Sequence, residues 1–67
     1  MVEVQVNGAS IALEDNTSVD SLIDSLGLSD RKIAIEINHQ IVSRSRYDSI
    51  TLKHKDKIEI VTAVGGG

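Results

Sequence analysis

Strict alternation on both sides of an Asn-Gly pair fixes how this chain must begin. Val2, Val4 and Val6 point to one side of an extended strand, and Glu3, Gln5 and Asn7 point to the other. After Gly8 the apolar series resumes at Ala9, Ile11 and Leu13. Period-two patterning with β-branched residues predicts strand. Asn-Gly between two such runs predicts a tight hairpin, because both residues tolerate the positive φ of a type I′ turn.

From Asp15 to Leu28 the period changes. Val19, Leu22, Ile23 and Leu26 fall at i, i+3, i+4 and i+7, one apolar stripe of a helix. Thr17 or Ser18 can cap its start, and Asp20 lies in the first turn, on the favourable side of the helix dipole. Gly27 stands where a terminating glycine adopts the left-handed conformation, with Leu28 after it positioned to fold back on Ile23. A helix of about ten residues is marginal alone and must be held by a sheet.

Ile33, Ile35 and Ile37 alternate with Ala34, Glu36 and Asn38, which predicts a third strand. Asn38-His39-Gln40 reads as a turn and Ile41-Val42 as a short strand beyond it. Ser43 to Ser49 is polar and irregular, Ile50 and Leu52 mark a brief extended piece, and Lys53-His54-Lys55-Asp56 is a charged turn. Ile58 and Ile60 alternate with Glu59 and Val61 in a last strand that runs to about Thr62.

The order β-β-α-β-(short β)-β predicts an α+β fold. A right-handed crossover through the helix allows the first and last strands to pair in parallel at the centre of the sheet. The resulting mixed sheet of four to five strands, with one helix packed on one face, is the β-grasp arrangement. Its other face is left to water, which suits Glu3, Gln5, Glu36 and Glu59. Residues 1–64 form this one domain, followed by a flexible Gly-Gly-Gly tail at residues 65–67.

Composition narrows the function. At 67 residues with no cysteine, tryptophan, phenylalanine or proline, the chain has no disulfide framework, no thiolate metal site and no cysteine nucleophile. A chain this short hides only about 60% of its unfolded surface, so aliphatic packing and a hydrogen-bonded sheet must hold it. A net charge of −3 and a lone tyrosine give neither the basic patch nor the stacking surface that nucleic acid requires. Apolar runs are too short to cross a membrane and no signal layout opens the chain, so a cytoplasmic protein is expected. His39 and His54 lie in separate polar turns without a third ligand, so no metal is expected. Asp20 and Asp24 share a helix face but read as solvating charge rather than an acid–base pair. An enzyme is not expected in a chain too small to enclose a substrate cleft.

Gly65-Gly66-Gly67 remains. One reading is a frayed end. The other makes the carboxylate of Gly67 the reactive group, on a tail thin enough to thread a partner's narrow channel, because glycine allows close backbone approach. A carboxylate is a poor electrophile, and conversion to an acyl-adenylate gives it a leaving group.

Three stretches resemble the ThiS-type sulfur carriers of thiamine biosynthesis, in the ubiquitin-like β-grasp superfamily. They are the opening V-E-V-Q-V-N-G-A, the run I-A-I-E-I-N-H-Q-I-V-S-R-S-R-Y from Ile33 to Tyr47, and the end D-K-I-E-I-V-T-A-V-G-G-G. Asn38, Arg44 and Tyr47 match the asparagine, arginine and aromatic positions of the middle run. The chain departs at Ser43, where the family often has proline, and at Lys55, where it often has glycine; both lie in turns.

The resemblance implies a carrier cycle with no permanently bound cofactor. An E1-like adenylating enzyme uses ATP to convert Gly67 to a transient acyl-adenylate. A persulfide sulfur donor then leaves a C-terminal thiocarboxylate, and thiazole synthase receives the sulfur. Gly67 is the adenylation and thiocarboxylate site, Gly65 and Gly66 serve tail recognition, and Val64 anchors the base of the tail. Val61 and Ala63, apolar side chains on the open face of the sheet, could help dock partners, but the favoured reading is an ordinary half-exposed strand. The alternatives are a carrier like the small subunit of molybdopterin synthase, disfavoured by the absence of proline, and a ubiquitin-like protein modifier.

Overall fold

The opening alternation forms the expected hairpin in a computed structural model of the chain, which describes residues 1–62. Strands β1 (Val2–Val6) and β2 (Ala9–Leu13) pair antiparallel, with Val4 opposite Ile11 and Val6 opposite Ala9. Asn7 at φ 50° and Gly8 at φ 87° supply the two left-handed residues of the turn.

Helix α1 spans Val19–Ser25. Ser18 is its cap, and the hydroxyl accepts from the Ser21 N–H at 3.1 Å. The Thr17 hydroxyl instead donates to the Glu14 carbonyl at 2.7 Å. At the other end Gly27 takes φ 74°, its N–H donates to Asp24 O at 3.0 Å, and the Leu28 N–H donates to Ile23 O at 3.1 Å. Those two bonds are the Schellman pattern. The helix is shorter than the stripe predicts. Leu26 is its C-cap and 42% exposed, because the glycine stop turns the chain before Leu26 can complete the apolar stripe, and Leu28 packs on the core from beyond the stop.

Strand β3 (Ile33–Ile37) pairs antiparallel with β4 (Gln40–Val42) through a two-residue turn, with Asn38 at φ 51° and His39 at φ 70°. Gln40 is already in the strand, opposite Ile37, so the turn is one residue tighter than the sequence suggests. Strand β5 (Lys57–Thr62) completes a five-stranded sheet of order β2-β1-β5-β3-β4. It runs parallel to β1 and antiparallel to β3, as the crossover argument predicts. The fold is the ubiquitin-like β-grasp.

Val4, Ile35, Ile58 and Ile60 face α1, where they meet Val19, Leu22 and Ile23. Two core residues come from the stretch between β4 and β5. Tyr47, 7% exposed, follows a short 3₁₀ turn at Arg44–Arg46, and Leu52 is fully buried. The same stretch holds the start of the helix. Tyr47 O accepts from the Asp20 N–H at 2.9 Å and Ile50 O from the Val19 N–H at 3.0 Å, satisfying donors that no intrahelical partner can reach. The expected extended piece at Ile50 and Leu52 reduces to a single bridge between Thr51 and Ser18.

The turn before β5 carries a strained residue. Lys55 stands at φ 73°, a left-handed conformation that costs a side-chain-bearing residue about 1–2 kcal/mol. Lys55→Gly removes that strain but makes the unfolded chain more flexible. The expected net gain is about 0.5–1 kcal/mol, read as a higher urea midpoint at unchanged slope. A lower midpoint refutes the assignment of strain.

Candidate functional site

Everything the sequence says about the tail depends on how the chain is delivered to it, and β5 makes that delivery. On one side β5 pairs with β3 to its end, with Ala34 opposite Val61 and Ile33 opposite Thr62. On the other side β1 turns away at Val6, and the paired register stops at Val6 and Ile58. Asn7 takes over there with its side chain. Its Nδ2 donates to Ile60 O at 3.1 Å and its Oδ1 accepts from the Ile60 N–H at 2.8 Å, while its own N–H donates to Ile58 O at 2.9 Å. A primary amide presents the same donor and acceptor as a peptide group, so Asn7 continues the ladder where the strand has ended.

The start of β5 is fixed in the same manner. The Asn38 Oδ1 accepts from the Lys57 N–H and its Nδ2 donates to the Asp56 carboxylate, both at 3.0 Å. The other Asp56 oxygen accepts from the Lys53 N–H at 2.8 Å. His54, one of the two histidines weighed as metal ligands, instead accepts the Glu3 N–H at Nδ1, 3.0 Å away. Two asparagines thus clamp the central strand near both ends, each from a tight turn.

The amide of Asn7 is a testable part of the site. Asn7→Gly keeps the left-handed backbone and removes only the side chain. It leaves the part-buried N–H and C=O of Ile60 without partners, at about 2 kcal/mol. The expected result is a lower urea midpoint together with faster amide exchange at Ile60. Unchanged exchange at Ile60 would show that the amide does not hold the strand.

The sites named from the sequence, Gly65, Gly66 and Gly67, together with Val64 and Ala63, lie outside the described residues. What is described is the ground from which they leave. Beside the last residues of β5, a shallow groove is lined by Lys32, Ile33, Ala34, Arg44 and Val61. Val61 is 64% exposed, on the face away from the helix. Ile41 is exposed on that face too, next to Glu36, which pairs across with Glu59. Asp20 and Asp24 are exposed on α1, where Asp24 accepts from the Ser29 hydroxyl at 2.9 Å. Nothing in sequence periodicity marks Lys32 or Arg44 as neighbours of Val61; the middle run singles out Arg44 without giving it a place.

Comparison with known proteins agrees with this architecture. The model of the ThiS family matches residues 3–67. The sulfur carrier protein ThiS of Bacillus subtilis (strain 168) is 34% identical over 65 residues, which cover 96% of this chain and 98% of that protein. A thiazole synthase of Magnetococcus marinus is 35% identical over 66 residues, 98% of this chain. This chain spans only 20% of the length of that thiazole synthase. The crystal structure of the thiamine biosynthesis protein ThiS from Geobacter metallireducens superposes with a TM-score of 0.84 at 25% identity, covering 98% of this chain and 100% of that one. On sequence and fold together, the chain belongs to the ThiS family.

Proposed function

We propose that this domain is a sulfur carrier of thiamine biosynthesis and not itself an enzyme, with the sulfur carried on the C-terminal carboxyl group of Gly67. The observation that carries the reading is the family match, which extends through the glycines to residue 67. The clamped central strand supports it, because a thin tail is useful to a partner only if its base is held still.

The chemistry follows from the weakness of a carboxylate as an electrophile. In an E1-like adenylating enzyme, a Gly67 carboxylate oxygen attacks the α-phosphorus of ATP and pyrophosphate leaves. Persulfide sulfur then attacks the acyl carbon and AMP leaves, giving an acyl disulfide. A second thiol cleaves its S–S bond, so that one disulfide forms and the thiocarboxylate is released. Gly65 and Gly66 let the backbone lie close to the walls of the partner's channel. ATP belongs to the partner, and the carrier holds no resident cofactor. Thiazole synthase is the proposed acceptor. Proteins of that name containing a region similar to this chain support the pairing.

Incubation with the adenylating enzyme, ATP and a persulfide donor, followed by intact mass measurement, tests the reading. The expected product gains the mass difference of one oxygen replaced by one sulfur. No change with an enzyme shown to be competent on another carrier overturns it. A ladder of adducts on lysine-bearing proteins would identify a protein modifier instead.

A further inference from the structure

The chain carries seven basic and ten acidic residues, yet among the described residues the groove at the end of β5 is lined by two cations and no carboxylate. Lys32 precedes β3 and Arg44 follows β4, so the antiparallel pair brings them to the same end of the sheet, beside Val61. Neither has a carboxylate partner among the described residues, where the ion pair present joins the Met1 amino group to Asp15. The Arg44 Nη2 donates only a long bond, 3.3 Å, to Arg31 O. Its remaining donors are exposed, next to an apolar side chain that is also exposed.

The face is polarised. Toward the middle of the sheet Glu36 stands opposite Glu59, whereas the tail end presents Lys32 and Arg44. An enzyme that draws in the tail must lie against its root, so these cations are among the first groups that it meets.

We propose that Lys32, Arg44 and Val61 form a docking surface for an acidic segment of the enzyme that activates the tail, one carrying a carboxylate beside an apolar side chain. The proposal rests on the carrier reading for the identity of that enzyme. Arg44 supplies a planar fork suited to a carboxylate, Lys32 adds a second charge, and Val61 supplies the apolar contact. Charges at the rim of an interface act mainly on encounter rate and choice of partner, so the surface sets which enzyme the carrier engages and leaves the acyl chemistry untouched.

The test is titration calorimetry of the full chain against its adenylating enzyme without ATP, with sulfur loading followed separately by mass. Lys32→Glu combined with Arg44→Glu should weaken binding about tenfold or more, since attraction becomes repulsion. The same variant should also lose most of the salt dependence shown by the wild type. Arg44→Lys, which keeps the charge and loses the fork, should bind more weakly than the wild type and more tightly than the double variant, and Val61→Thr should weaken binding several-fold while preserving a β-branched strand residue. Lys53→Glu, in the turn before β5, should bind as the wild type does. Circular dichroism establishes that each variant is folded.

Unchanged affinity in the folded double variant overturns the proposal. So does tighter binding, the mark of a chain whose own acidic terminus covers the cations. Weakened binding without any mass gain in the wild type would keep the surface and sink the carrier reading. Mass gain with unchanged binding in the double variant would do the reverse.

Discussion

One residue appended after Gly67 is expected to reduce sulfur loading by at least about 100-fold while leaving thermal unfolding of the domain unchanged. The reacting carboxylate would be displaced by a whole residue, and misplacement by about 1 Å already costs on the order of 100-fold in a positioned reaction. Folding should not respond, because among the described residues the core runs from Val4 to Ile60. Loading measured by intact mass, beside a melting curve, checks both halves. Retained loading of a chain shown to keep its extra residue would exclude the terminal carboxyl group as the sulfur site. Lost loading with a lowered melting temperature would place the effect in the fold instead.

Replacing Ile35 by alanine is expected to lower the melting temperature by about 15–30 °C. Ile35 is 0% exposed, in the strand next to β5, opposite Ile60 on one side and Val42 on the other. Truncation of a buried isoleucine to alanine costs about 2–5 kcal/mol through lost transfer energy and the cavity left behind. A domain of this size holds roughly 3–10 kcal/mol in total, and each kcal/mol moves the midpoint by about 4–8 °C. With no cysteine in the chain and no cluster of metal-ligating side chains among the described residues, the described fold draws mainly on packing and hydrogen bonds. Calorimetry of Ile35→Ala beside Ile35→Val separates cavity from chemistry, since the valine variant should lose only about 0.5–1.5 kcal/mol. A drop below about 5 °C for the alanine variant would mean that the sheet is not seated on the helix as described.

Most of the scaffold was legible because its signals are local. The Asn7-Gly8 turn, a helix cap at Thr17 or Ser18 (the structure selects Ser18), the Gly27 stop and the alternation of β3 and β5 each depend on residues within a few positions of one another. The Lys55 strain was marked only by the resemblance, since the family often has glycine at that position, and the structure places Lys55 at φ 73°. Misses fall where local periodicity and tertiary packing compete. The helical stripe extends to Leu26, but the glycine stop ends the helix first. Tyr47 sits in a polar stretch with no period, so nothing nearby marks it as core. The chemistry expected of Gly65, Gly66 and Gly67 falls outside the described residues, so the fold neither adds to it nor subtracts from it.

The surroundings of the tail were not legible, and the reason is distance along the chain. Asn7 reads from sequence only as a turn residue; its amide holds Ile60, 53 positions away. Lys32, Arg44 and Val61 come from three separate elements and meet only when the sheet assembles in its order β2-β1-β5-β3-β4. By itself, the sequence determined the β-grasp elements, their turns and the glycine terminus, since backbone preference and period-matched burial are encoded locally. Tertiary structure alone decided what grips the central strand and which charges stand at its end. Those depend on strand order and register, which bring together residues that carry no mark of one another.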